Sequence, residues 1–254
     1  MRTTLCMNMK GGTGKTSTVI NMAAILYRYY QQHVLLVDAD SQGNLSEFLV
    51  DAPEQLYDAD GTADLLKGKK VRGLLATKIA GAQLLPGDGR LMTLDIAAMQ
   101  GGSLSATAMR DWLQGFRNFQ TCLIDCPPAF SAAAMAACRA ADDVIIPVKL
   151  DDFGIRGVAK IVEQIHNMQE LNPKLKIAGV LPTMTYKSET QEEAEDQLKA
   201  AMRSLNVKVF PHIRRSSKVD ESTFAQLPLT SYSPKSAACQ DYKRFVEAYL
   251  DGEV

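Results

Sequence analysis

The sequence predicts an α/β protein in which a mostly parallel, twisted sheet carries helices on both faces. Three observations predict it. Short apolar runs alternate with amphipathic stretches of helical length along nearly the whole chain. A glycine-rich loop bearing two lysines follows the first apolar run and opens the first helical stretch. Two later apolar runs each end in aspartate, and open α/β sheets bind ligands at the carboxyl ends of their strands.

Leu5–Met7, Val34–Val37, Gln83–Leu85, Cys122–Ile124, Val144–Val148, Ile177–Leu181 and Val207–Phe210 read as short buried strands. Helical periodicity covers Lys15–Tyr30, Ser103–Gly115, Ser131–Arg139, Ile155–Leu171 and Thr190–Leu205, and a last helix runs from about Ser236 to Leu250. Asp51–Gly81 is richer in Asp, Gly and Lys and has no strong period beyond Ala63–Leu66, so it reads as a surface excursion with one short helix. Repeats and proline-rich linkers are absent, and residues 1–254 are expected to form one domain.

A net charge of −1 excludes any global attraction to nucleic acid, so DNA binding would need a local basic patch. The five cysteines are odd in number and widely spread, which points to reduced, buried thiols. Cys122 and Cys126 have no second close pair to complete a metal site. The first ten residues lack a long apolar segment, and no apolar stretch reaches the length of a membrane span, so the expected compartment is the cytoplasm.

The strongest motif is Lys10-Gly11-Gly12-Thr13-Gly14-Lys15-Thr16-Ser17. Its glycines allow a tight turn that exposes backbone N–H groups, and these face an anion together with the positive end of the following helix. Lys15 is expected to reach the β- and γ-phosphates of a nucleotide, and the Thr16 hydroxyl to ligate Mg²⁺. Against the general G-x-x-x-x-G-K-[ST] pattern, Met9 stands where a glycine is usual, and Lys10 adds a second lysine.

Val34–Val37 delivers Asp38-Ala39-Asp40, and Cys122–Ile124 delivers Asp125 before Pro127 and Pro128. Asp125 is placed to hold Mg²⁺ through water, and Asp38 to support the metal shell. Asp40 is the candidate for orienting the attacking water, because phosphoryl transfer depends on positioning and charge neutralisation.

These residues resemble the ParA/MinD family of deviant Walker A P-loop ATPases, most closely the short, Soj-like ParA proteins. The resemblance covers nearly the whole chain. The loop from Lys10 to Thr16 is similar to the family's deviant loop, Asp38 to Asn44 to its D-x-D-P-Q-G-N segment, and Asp125 to Pro128 to its D-x-P-P strand end. Gly179–Met184, Val209–Arg215 and Tyr232–Ser236 resemble further family stretches, the first two flanking the adenine. The resemblance implies ATP and Mg²⁺ as cofactors and a nucleotide-sandwich homodimer on ATP binding. It also implies binding to double-stranded DNA without sequence preference, and hydrolysis stimulated by a ParB-type centromere-binding protein, in partition of a chromosome, plasmid or mobile element. Residue by residue it makes Lys10 the lysine that reaches the partner's phosphates, and Asp40 the hydrolytic aspartate. It also brings Thr183, Met184, Pro211 and His212 to the base.

From Gln197 to Val219 the chain carries no acid, and Arg214, Arg215 and Lys218, with Lys243 further on, are the candidate DNA contacts. With DNA as partner, the expected location is the cytoplasm, on the nucleoid. Two other classes remain open. A MinD-like membrane-surface ATPase needs a basic amphipathic C-terminal helix, whereas this chain finishes acidic and its last helix reads as a docking helix. A metabolic or redox enzyme on the same scaffold, an iron-protein relative or an amidoligase, is the other.

Overall fold

Parallel strands need a crossover between them, and here helices supply it. The structure, a computed structural model, describes residues 1–100 and 104–253, and the side chains of these except 152–156 and 253. The first half runs β1 (Arg2–Cys6), α1 (Lys15–Tyr30), β2 (Val34–Asp38), α2 (Asn44–Leu49), α3 (Thr62–Leu66), β3 (Leu75–Ala76), β4 (Ala82–Leu85), α4 (Arg90–Met99) and α5 (Ala108–Leu113). The second runs β5 (Thr121–Asp125), α6 (Ala132–Ala140), β6 (Asp143–Lys149), α7 (Asp152–Met168), β7 (Lys176–Thr183), α8 (Glu189–Ser204), α9 (Ser217–Phe224), α10 (Leu229–Tyr232) and α11 (Ala237–Leu250). Among the described residues, seven strands form one sheet in the order β3-β4-β2-β5-β1-β6-β7. β3 is antiparallel to β4, and the other pairs are parallel.

The central strands read as continuous apolar runs because both faces are covered. In β2, Val34 and Leu36 join the core beneath α1, α2 and α11, while Leu35 and Val37 join the core built by α3 to α8. The apolar positions of α11 recur at Ala238, Tyr242, Phe245, Val246 and Tyr249, one buried stripe on a helix. Phe245 meets Phe210 edge to face at 5.1 Å. The last helix thus docks inside the fold, as its sequence suggests.

Several expectations need correction. Val207–Phe210 is not a strand; it makes one isolated bridge, Val209 to Val180 of β7. Pro182 of β7 lacks the N–H that would continue the pairing beyond Val180, and contact resumes one residue out of step at Ile213 N to the Pro182 carbonyl, so no continuous ladder forms. The excursion 51–81 is not all surface: α3 is buried throughout, and Thr62 Oγ1 donates to the Asp38 carbonyl at 2.7 Å. The helix expected from Ser103 begins at Ala108, and Ser103 itself lies outside the described residues. Helices α2, α4, α9 and α10 have no counterpart in the periodicity, being short or, like α4, burying only Leu91 and Leu94.

Phe245 is fully buried at the junction of α11 with the sheet. Phe245→Ala is expected to cost about 3 kcal/mol or more of unfolding free energy, measured by denaturant titration.

Candidate functional site

Parallel pairing in register brings three strand ends to one level. Cys6 of β1 lies opposite Asp125 of β5, and Asp125 opposite Asp38 of β2. The glycine-rich loop therefore leaves β1 beside both carboxylates. Gly12 and Gly14 hold φ of 68° and 86°, a left-handed turn that glycine adopts without steric cost. Gly14 is the N-cap of α1; no side chain caps this helix and its first turn holds no acid. The first-turn amides and the helix dipole are thus left for an anion.

The loop is braced from below. Asn8 accepts from Lys10 N at 2.9 Å and donates to the Pro147 carbonyl, while Thr183 Oγ1 donates to the Thr13 carbonyl at 2.8 Å. Lys15 is buried, its ammonium 3.4 Å from the Lys10 carbonyl. Lys10 points elsewhere: its ammonium lies 2.9 and 2.7 Å from the two carboxylate oxygens of Asp151.

Two cavities of about 380 Å³ each meet at Gly14, Ser17 and Met184. One is lined by the loop from Gly11 to Ser17 with Asp40, Gln42, Asn44 and Pro128. The other is lined by Thr183, Met184, Ile213 to Ser216, Val219 and Lys149 to Asp151, among others. A phosphate tail and a base with its sugar fit these two lobes in that order.

Thr16 Oγ1 donates to Asp125 Oδ2 at 2.7 Å, whereas Asp125 Oδ1 is buried without any partner. Burial, then the charge of Asp38, drives the Asp125 carboxyl well above the ordinary range, against the opposing pull of Thr16 and Lys15. A half-buried hydroxyl, a bare carboxylate oxygen and neighbouring acids fit a hard divalent cation. Mg²⁺ keeps several waters and takes one or two protein oxygens plus phosphate oxygens. Thr16 and Asp125 suit that set. Among the described residues no group of three or more His, Cys, Asp or Glu side chains could hold a metal unaided.

Asp38 has a different place. Its Oδ1 accepts from Asp40 N at 3.0 Å, and its Oδ2 from Ser46 N and Ser46 Oγ at 2.9 and 2.7 Å. It is fully buried, and burial raises its pKa against these hydrogen bonds. These bonds make the carboxylate the scaffold of the Asp40 loop, while its register opposite Asp125 keeps its charge beside the expected metal position. Ser46 also accepts from Gly87 N at 3.0 Å, and a Cβ on Gly87 would lie 2.6 Å from the Asp38 carbonyl oxygen. Neither Ser46 nor Gly87 carries a sequence signal, since each matters through a residue distant along the chain.

Several base and DNA candidates also move. Pro211 and His212 do not line the base cavity; His212 Nδ1 pairs with Glu195 of α8 at 2.9 Å. The chain from 207 to 215 runs along β7, with Ile213 N bonded to the Pro182 carbonyl, which turns Ile213 and its successors inward instead. Arg214 is bound on two nitrogens to buried Asp241, both at 2.8 Å, so it serves the fold and not a DNA contact. Lys218 pairs with Glu221, and the Lys243 ammonium sits 4.4 Å from the centre of the Tyr29 ring. Lys218 is exposed and Lys243 half-buried, and a phosphate could displace either contact. Among the described residues, the Arg215 side chain has no partner.

Residues 1–177 match the family model described as an AAA domain. The chromosome-partitioning ATPase Soj of Thermus thermophilus is 32% identical over 249 residues, covering 96% of this chain and 93% of that protein. The chromosome partitioning protein ParA of Caulobacter vibrioides is 31% identical over 265 residues, covering 100% and 95%. The chain belongs to the ParA/MinD family, on its Soj-like side. The fold agrees: cobyrinic acid a,c-diamide synthase from Mycobacterium smegmatis with bound ADP and magnesium superposes with TM-score 0.80 at 29% identity, covering 98% and 94%. As a ParA/MinD-family member, the chain is a P-loop ATPase whose glycine-rich loop and Asp40 line one lobe of a groove that continues into the second cavity.

Two predictions follow from the charges. A carboxyl raised by folding destabilises the fold at neutral pH, so Asp125→Asn is expected to stabilise the ligand-free chain by about 1 kcal/mol in thermal unfolding without metal or nucleotide. Asp241 behaves oppositely. Burial pushes it up, but the hydrogen bonds from Arg214 and Arg244 outweigh burial and hold it below the ordinary range. Its stabilisation is present above about pH 4 and lost as pH falls further. Asp241→Asn should flatten that acid limb in stability measured against pH.

Proposed function

We propose that the chain is a ParA-like ATP switch. It binds Mg·ATP in the two-lobed groove, closes as a nucleotide-sandwich dimer, and in that state holds double-stranded DNA without sequence preference. A ParB-type partner stimulates hydrolysis and release, and the cycle serves partition of a chromosome, plasmid or mobile element. The cell compartment is the cytoplasm, with the dimer on the nucleoid. The observation that carries the reading is the joining of the phosphate and base cavities at Gly14, Ser17 and Met184, with Asp125 Oδ1 bare beside them.

In this reading the first-turn amides of α1 and Lys15 hold the β- and γ-phosphates. Thr16 directly and Asp125 through water hold Mg²⁺, which when bound neutralises phosphate charge. Asp40, fixed by the Asp38 scaffold, orients the attacking water at the phosphate lobe. Lys10 leaves Asp151 to reach the phosphates of a second chain. The buried stripe of α11 supports this reading over a membrane-surface ATPase, because no apolar helix face is left there for lipid. Cys126 is fully buried in the core behind Asp125, which supports it over a cluster-bearing enzyme.

Lys15→Ala is expected to weaken ATP binding at least about a hundredfold by calorimetry. Asp40→Ala should keep binding and dimerisation while turnover falls about a hundredfold or more. Lys10→Ala should bind ATP yet stay monomeric in light scattering. Normal hydrolysis by Asp40→Ala would remove the role given to that residue. For DNA, neutralising about four phosphates predicts that affinity falls about a hundredfold between 50 and 200 mM salt, read by fluorescence anisotropy; a flat response would exclude the DNA step.

A further inference from the structure

A third lysine stands at the phosphate loop, and it comes from a distant strand. β6 lies between β7 and β1, the strand from which the loop leaves, and its last residue is Lys149. Open α/β sheets bind ligands at this carboxyl end of their strands. Lys149 pairs in register with Thr183 of β7, whose hydroxyl donates to the Thr13 carbonyl of the loop at 2.8 Å. The half-buried side chain turns back over the loop, and its ammonium lies 3.9 Å from the point that a Cβ on Gly12 would occupy. Lys149 also lines the base-side cavity together with Gly14 and Ser17. Lys10, by contrast, is paired with Asp151, and the buried Lys15 ammonium meets the Lys10 carbonyl. Among the described residues the Lys149 ammonium has no ion-pair or hydrogen-bond partner.

We infer that Lys149 is a further phosphate-binding residue, contacting the phosphate tail of the nucleotide held by its own chain at Gly12. The inference rests on the Mg·ATP reading above and adds to it a residue that the loop motif does not contain. An unpaired ammonium over a glycine-rich turn adds to the positive potential of the uncapped α1 N-terminus, and both favour a polyanion. Lysine suits the task as a compact charge with three donors on a flexible stem. Strand pairing fixes its backbone, while the stem lets the ammonium follow the tail. Lys15 approaches from the buried side of the loop and Lys149 from its open side, where the two cavities meet. The tail is gripped between them.

The bland role for Lys149 is to neutralise Asp151, two residues on, once Lys10 has left it. Calorimetric titration of the full chain with ADP and with ATP, each with Mg²⁺, separates the two roles. Wild type, Lys149→Gln and Lys149→Arg are compared, with ligand-free melting temperatures and light scattering alongside. Lys149→Gln keeps the length of the side chain without its charge. It is expected to bind both nucleotides about tenfold more weakly, with an unchanged melting temperature. Lys149→Arg, which keeps the charge, should recover most of that loss. Nucleotide affinities of Lys149→Gln equal to wild type would overturn the role while leaving the ATPase reading intact. Equal affinities with loss of the ATP-dependent dimer would overturn it in favour of a partner for Asp151. Equal weakening in Lys149→Gln and Lys149→Arg, or weakening together with a lowered ligand-free melting temperature, would overturn it in favour of packing at the strand end. Absence of ATP binding by the wild type would remove the Mg·ATP reading itself, and this role with it.

Discussion

A carboxylate with one satisfied oxygen, buried beside a second carboxylate, is a state that folding alone does not favour. Asp125 is held in that state because β5 pairs in register with both β1 and β2, which fixes its neighbours as the phosphate loop and Asp38. Thr16 satisfies one oxygen and Lys15 offsets some of the charge, yet Oδ1 stays bare. The uncapped N-terminus of α1 adds positive potential with no internal anion to meet it. The two deficits are complementary to a metal–phosphate ligand. Binding then supplies what the fold withholds, which is how nucleotide and stability become linked.

Around that centre, the Asp40 loop is organised by residues that do not line the phosphate lobe. Asp38 gathers Asp40 N and Ser46 at one buried point, and Gly87 packs against the same loop with no room for a side chain. The loop that carries Asp40 is therefore shaped both by its own neighbours, Asp38 and Ser46, and by Gly87 from a distant part of the chain. In the proposed reaction, preorganisation of this kind is what would let Asp40 act by position alone.

The base lobe depends on a different set of contacts. Its wall from Ile213 to Ser216 is hung from β7 by backbone hydrogen bonds and anchored by Arg214 on Asp241 of α11. Helix α11 is in turn held by its buried stripe and by the edge-to-face contact of Phe245 with Phe210. The C-terminal helix thus shapes the nucleotide groove from behind while contributing only Tyr242 to its lining.

What the sequence determined by itself is what repeats locally. Apolar runs with helical stretches between them give the parallel core strands, and α1 runs from Lys15 to Tyr30 as its period and glycine-rich entry dictate. The phosphate loop and the strand-end acids Asp38, Asp40 and Asp125 were legible because chemistry and spacing coincide within a few residues. The tertiary structure alone decided the rest. Asp38 became a scaffold because Ser46 and the Asp40 amide close on it, and Pro211 and His212 left the base because Pro182 shifts the pairing beside β7 and Glu195 takes the imidazole. Arg214 was taken by an acid 27 residues away in sequence. The physical reason is common to all of these: hydrogen bonding and burial act between neighbours in space, and strand order makes neighbours of residues that the chain keeps apart.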